Sequence, residues 1–274
     1  MIQSIKRTKL PALIAAALMG LALTAPAAQA AEPAPGFEQF AGCPSPEEVP
    51  NIFLCMRTTI DGGHFQMGSK DVPITNPITI SGGLEEESDH LVANSKGGLT
   101  PVKQPVPGGI IGLTGLDWLV NFLNLEALKL YAVTELAGAP GSPLDEPLEL
   151  PIRVHLINPV LGDNCYVGSF AEPIELNLTT KTTNPPPPNE PITGTEPVFS
   201  VDELGIFHFD NGTFVDNAFA APGANGCKLV LFGFIPISIN GLVNSQSGLP
   251  SPAGTNETTQ DFDIESAFPE QVYP

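Results

Sequence analysis

Aromatic rings with a polar edge are scarce in this chain, which has one Trp and three Tyr among 274 residues. Glycoside hydrolysis therefore finds carboxylate pairs, such as Asp202-Glu203, but few of the sugar platforms that it also wants. Positive charge is equally thin, at 11 Lys and Arg against 30 Asp and Glu. A surface this acidic repels phosphate backbones and anionic lipid, so nucleic acid is excluded as a partner class. Histidine occurs four times, at His64, His90, His155 and His208. The nucleophile elbow G-x-S-x-G, the zinc signature H-E-x-x-H, the P-loop and the dinucleotide glycine fingerprint are all absent. No C-x-x-C and no histidine at ligand spacing support a zinc site.

The first thirty residues read as a secretory signal peptide. Lys6, Arg7 and Lys9 precede the apolar run Leu13 to Leu23, and Ala28-Gln29-Ala30 supplies the small-residue cleavage signature. The run falls short of the roughly 20 residues that a bilayer span needs. No cysteine follows it closely and no second apolar span follows, so the expectation is a secreted, soluble protein, cut after Ala30, without a membrane anchor. Cleavage removes three of the basic residues and no acidic one, which leaves a formal charge of −22.

Glycine and proline are abundant, at 27 and 30 residues, without a collagen register, and the apolar fraction of 42% is too high for simple disorder. Short strands joined by Pro- and Gly-punctuated turns fit this texture. The even set Cys43, Cys55, Cys165 and Cys227 in an exported chain favours two disulfides. Three connectivities are open, and proximity in sequence favours Cys43–Cys55 with Cys165–Cys227.

Along the chain, 31–42 reads as a flexible tail and 43–274 as one β-rich domain, with a sub-domain break open near the polyproline segment at 184–190. Asn51 to Thr59 and Gly63 to Met67 read as short strands around Asp61-Gly62-Gly63, and Val72 to Ile80 as a strand broken by Pro73 and Pro77. Gly82 to Gly98 reads as an acidic loop. Thr114 with Asp117 resembles a capping box ahead of Leu116, Leu119, Val120 and Leu123, which predicts one short helix over about 114–125. Alternation at Leu128/Leu130/Ala132, Ile152/Val154/Leu156 and Ile174/Leu176/Leu178 predicts half-buried strands. Asn211-Gly212 predicts a type I′ hairpin turn. Lys228 to Asn240, apolar on both faces at first, predicts a central strand. From Asn244 onward the chain reads as a polar, Pro-rich tail. The fold class is mainly β: antiparallel sandwich or barrel-like sheets, one short helix and two disulfides.

Several phrases occur together: Gly62-Gly63-His64-Phe65, Val106-Pro107-Gly108-Gly109, Asn158-Pro159-Val160-Leu161-Gly162 leading to Cys165-Tyr166-Val167-Gly168-Ser169, and Pro222-Gly223-Ala224-Asn225-Gly226-Cys227. With Thr179-Thr180, Pro185 to Asn189, Val215-Asp216-Asn217 and Gly248-Leu249-Pro250-Ser251, this resembles a family of uncharacterised secreted proteins of actinobacteria, over most of the mature chain. The resemblance implies a secreted bacterial protein and carries no catalytic residues over. It also implies that the N-x-Thr sites at Asn177, Asn211 and Asn256 are not used for eukaryotic glycosylation.

Two sets of residues invite chemistry. Ser169, His155 and Asp163 are close enough in sequence to suggest a triad, against the simpler reading of a turn serine and an exposed strand histidine. Asp261, Asp263 and Glu265 alternate, so an extended segment puts three carboxylates on one side, a donor set suited to calcium, with Glu85 to Asp89 as a second cluster. The competing reading of both is a solvated acidic surface. The resulting expectation is a non-enzymatic extracellular structural or binding protein with an extracellular or cell-envelope partner. The alternative is a secreted hydrolase whose site is assembled from distant residues.

Overall fold

The computed structural model describes residues 31–86, 90–109, 129–159, 161–231 and 235–274. Sixteen strands run through these residues. In chain order they are β1 Ile52–Met67, β2 Lys70–Pro73, β3 Ile78–Glu85, β4 Leu91–Val92, β5 Gly98–Leu99, β6 Lys103–Pro105, β7 Tyr131–Leu136 and β8 Leu148–Ile157. Then follow β9 Tyr166–Val167, β10 Ile174–Leu178, β11 Val198–Val201, β12 Phe207–Asp216, β13 Ala224–Asn225, β14 Lys228–Leu231, β15 Ile235–Ser238 and β16 Glu257–Ala267. Short helices at Asn240–Ser247 and Pro269–Val272 and a 3-10 turn at Glu38–Phe40 complete the described elements. The helix expected over 114–125 lies outside the described residues.

Two antiparallel sheets form the body. One runs β11-β12-β16-β1-β3-β4, with β2 beside β1 and β5 beside β3; the other runs β13-β9-β8-β7-β6, with β10 beside β8. Period-2 alternation makes them pack. Leu148, Leu150, Ile152, Val154 and Leu156 point from β8 into the same core as Met56, Ile60, Ile80, Phe262 and Ile264 of the first sheet. Burying each such side chain contributes about 1.5–3 kcal/mol before entropy is counted. The arrangement is a sandwich. Both expected disulfides are present, Cys43–Cys55 and Cys165–Cys227.

Several local readings are corrected. The expected flexible tail 31–42 is packed: Phe37 and Phe40 are buried with Ile52, Ile206 and Val272, and Ala34 N donates to Val272 O. Asp61-Gly62-Gly63 does not end a strand. It forms a bulge within β1, where Gly63 sits at φ +96° and a Cβ would meet Thr259 O at 2.1 Å. Pro77 does separate two strands, since β3 begins at Ile78. The acidic loop is shorter than expected: β3 runs on to Glu85, and Leu91–Val92 pairs back onto it.

Asn211-Gly212 turns no hairpin. Both halves of β12 pair continuously with β16, and Asn211, at φ +60°, is the extra residue of a bulge. Among the described residues Lys228–Leu231 is not central; it pairs with Ile235–Ser238 in a two-stranded ribbon. The supposed polar tail holds β16, which lies between β1 and β12 in the middle of the larger sheet. Its outer positions are polar and its inner positions mix Thr258 and Gln260 with Phe262 and Ile264, so its composition hides its burial.

The polyproline stretch is a crossover within the compact unit Ala31–Pro274. Asn189 fastens its far end, donating from Nδ2 to Asn217 O at 2.9 Å and Asn256 O at 2.8 Å.

Candidate functional site

The sequence-predicted residues fall into place as follows. Ser169 Oγ accepts from Glu172 N at 3.0 Å, while His155 turns to Glu135, with Nδ1 3.4 Å from Oε1. His155 also stacks on Tyr166 at 4.3 Å between ring centroids. Arg153 completes this cluster: it donates to Glu135 through Nε at 3.0 Å and Nη2 at 2.6 Å and lies over the Tyr166 and Phe170 rings. Glu135 thus lies between the Arg153 guanidinium and the His155 ring, and the Tyr166 and Phe170 rings pack against these two. No hydrogen bond joins Ser169 to His155. Among the described residues the rings of His64, His155 and His208 each face a carboxylate, and the one hydroxyl contact, from Thr258 Oγ1, goes to the His64 backbone oxygen.

Asp261, Asp263 and Glu265 do share the outer side of β16. Each has its own protein partner: Asp261 Oδ1 accepts from Thr213 Oγ1 at 3.0 Å and Asp263 Oδ1 from Asn211 N at 2.7 Å. Glu265 Oε2 faces Arg57 Nη1 at 3.4 Å. Among the described residues no group of three or more His, Cys, Asp or Glu is placed to hold one metal ion.

The enclosed space lies elsewhere, between the sheets. A cavity of about 70 Å³ is walled by Ile60, Phe65, Val72, Ile80, Ala132 and Ile152, among others. A second, of about 50 Å³, runs on toward Val106, Leu130, Leu161 and Leu249. Met67, Lys70, Val72, Ala132 and Val154 line both compartments, so together they make one slot along the sandwich. Lys70 is the one charged residue that lines it. A hollow of about 490 Å³ between Glu172, Glu175, Pro222 and Pro250 is larger but open to solvent. Enclosure by apolar walls makes the slot the stronger ligand site, because it takes the ligand out of water.

No family model, no curated protein and no solved structure matches the chain. The geometry of the slot therefore has to carry the functional argument.

Two glutamines reach the slot, and they differ. Gln104 is satisfied: Oε1 accepts from Thr75 N and Asn76 N, both at 3.0 Å, and Nε2 donates to Asn76 O at 2.6 Å. Gln260 is 5% exposed, and its Nε2 reaches Thr258 Oγ1 only at 3.4 Å. Its Oε1 makes no hydrogen bond, nor does Thr58 Oγ1, which lines with Gln260 an adjoining void of about 10 Å³. An unmade hydrogen bond of this kind costs about 1–3 kcal/mol. Sequence reasoning passed over these residues. The one readable signal was Thr258-x-Gln260-x-Phe262-x-Ile264, which sets polar and apolar side chains on the same face.

Proposed function

We propose that this is a secreted, non-enzymatic binding protein that takes a short apolar chain with a hydroxyl head into the slot between its sheets. The observation that carries the reading is an apolar slot lined by buried Gln260, whose acceptor Oε1 makes no hydrogen bond. A core residue serving packing alone would avoid that penalty. Neither compartment reaches the ~150 Å³ of an engineered cavity that admits benzene, so the occupant is limited to a short chain of a few carbons. Gln260 Oε1, an acceptor, complements a hydroxyl that donates.

Export is part of the same reading. The basic start, the short apolar run and Ala28-Gln29-Ala30 argue for a signal peptide cut after Ala30, as does the resemblance to secreted actinobacterial proteins. Two disulfides suit an oxidising compartment. Among the described residues no helix is long and apolar enough to cross a membrane.

The test is calorimetric titration of the mature protein with a short straight-chain alcohol such as butanol. Saturable binding of one equivalent is expected. Ala132→Phe, which fills the slot, is expected to weaken it by about tenfold or more, measured at a temperature where the variant, destabilised by about 1–3 kcal/mol, keeps the parent circular dichroism spectrum. Absence of saturable binding, or equal binding by Ala132→Phe, overturns the proposal.

A further inference from the structure

Among the described residues the larger sheet ends at β11, which pairs only with β12, and all four of its residues are exposed. An uncapped edge of this kind offers a row of backbone donors and acceptors to another chain. The side chains beside it are unusually apolar. Phe199 is 56% exposed, Val198 65% and Val201 50%, with Leu204 and Phe268 close to half exposed. Their rings make one cluster: Phe199 lies 5.2 Å from Phe209 and 6.2 Å from Phe207, and Phe207 meets Phe268 edge-on at 5.5 Å. A contiguous aromatic patch on a water-facing edge marks an interaction surface.

Charge selects the occupant. Between Thr182 and Cys227 there are six carboxylates and no Lys or Arg, and none lies between Glu257 and Pro274. Glu196, Asp202 and Glu203 flank β11 and Glu270 follows Phe268, all exposed. The Ile206 N–H, which outweighs burial, with help from His208 and the Leu204 N–H, holds the Asp202 carboxyl below its ordinary value. A second copy would bring this acidic edge against itself, and like charges opposite one another across a sheet are destabilising.

We infer that β11 is a docking edge for an extended segment of a partner polypeptide, one that alternates apolar residues with Lys or Arg and adds a strand to the sheet. Backbone pairing supplies affinity, the Phe199–Phe207–Phe209–Phe268 cluster receives the apolar side chains, and the flanking carboxylates receive the basic ones. This site is separate from the slot, so either can fail without the other.

The experiment titrates the mature protein with a peptide of about ten residues alternating lysine with valine and phenylalanine. Two comparison peptides carry glutamate for lysine, or N-methyl groups at alternate residues. Binding of the lysine peptide is expected to weaken as salt rises from about 0.05 to about 0.5 M. N-methylation is expected to abolish it, and Phe199→Lys to cost about tenfold or more. Because Phe199 is exposed, that variant is expected to keep the parent circular dichroism spectrum. Equal binding of the glutamate peptide, indifference to N-methylation, or no binding overturns the inference. So does a sedimenting dimer that Phe199→Lys dissociates, since the occupant is then a second copy.

Discussion

Asn256 shows how one side chain can join distant parts of the chain. It is fully buried, its Oδ1 accepts from Gly68 N at 3.0 Å and Ser251 Oγ at 2.6 Å, and its Nδ2 donates to Phe219 O at 2.9 Å. Asn256→Ala strands all three of these groups away from water, so a loss of about 3 kcal/mol is expected, measured by urea unfolding with an unchanged m-value. Glu146 acts through its charge. Burial pushes its carboxyl up, yet the hydroxyls of Thr179 and Thr180, the Thr180 N–H and the Lys181 charge together hold it below its ordinary 4.5. A pKa lowered in the folded state contributes stability above the unfolded value, and that contribution is lost as pH falls through the folded one. Glu146→Gln is therefore expected to lower the melting temperature at neutral pH, with the difference from the parent shrinking as pH drops below about 4.3. Asp216 has the opposite sign. Burial outweighs the Asn177 and Ala218 N–H groups and raises its carboxyl, so its protonated form favours folding and that contribution fades as pH rises.

Among the elements, β16 and β12 depend on a close approach. A Cβ on Gly212 would lie 2.3 Å from Phe262 Cζ, and Phe262 is itself buried and stacked on Phe214 at 3.8 Å. Neither ring can swing away, so Gly212→Ala is expected to destabilise by about 1–3 kcal/mol, read from the thermal midpoint. Sequence periodicity made β8 and β10 legible, because each has one face in the core and one in water. β16 escaped notice because Thr258 and Gln260 occupy inward positions. Asn211 does take the positive φ that the Asn-Gly pair predicted, but Gly212 does not, so the pair supplies the one left-handed residue of a bulge and not the two of a type I′ turn.

For the whole molecule, the cross-links differ in reach. Cys43–Cys55 closes a separation of 12 residues and Cys165–Cys227 one of 62. Chain entropy assigns them about 3 and about 4 kcal/mol. Replacing Cys165 and Cys227 by Ala is expected to lower the unfolding free energy more than replacing Cys43 and Cys55, with denaturant midpoints as the measurement. Neither the slot nor the docking edge was legible beforehand. The slot's walls come from β1, β2, β3, β7, β8, β10 and β16, which are spread over about two hundred residues of sequence. Phe199 and Phe268 are likewise 69 positions apart and share their patch only because β11, β12 and β16 are neighbours.

Sequence alone determined what depends on composition and local spacing: the β class, an even set of four cysteines, the acidic balance, and the alternation that puts Asp261, Asp263 and Glu265 on one side of a strand. Those properties reside in single residues and short windows. Tertiary structure decided which strands are central and which are edges, that 31–42 packs, that Ser169 and His155 have separate partners, and that Gln260 lies buried with an unmade hydrogen bond. These depend on register between segments far apart in the chain, and register is set by how both faces of every strand are buried at once.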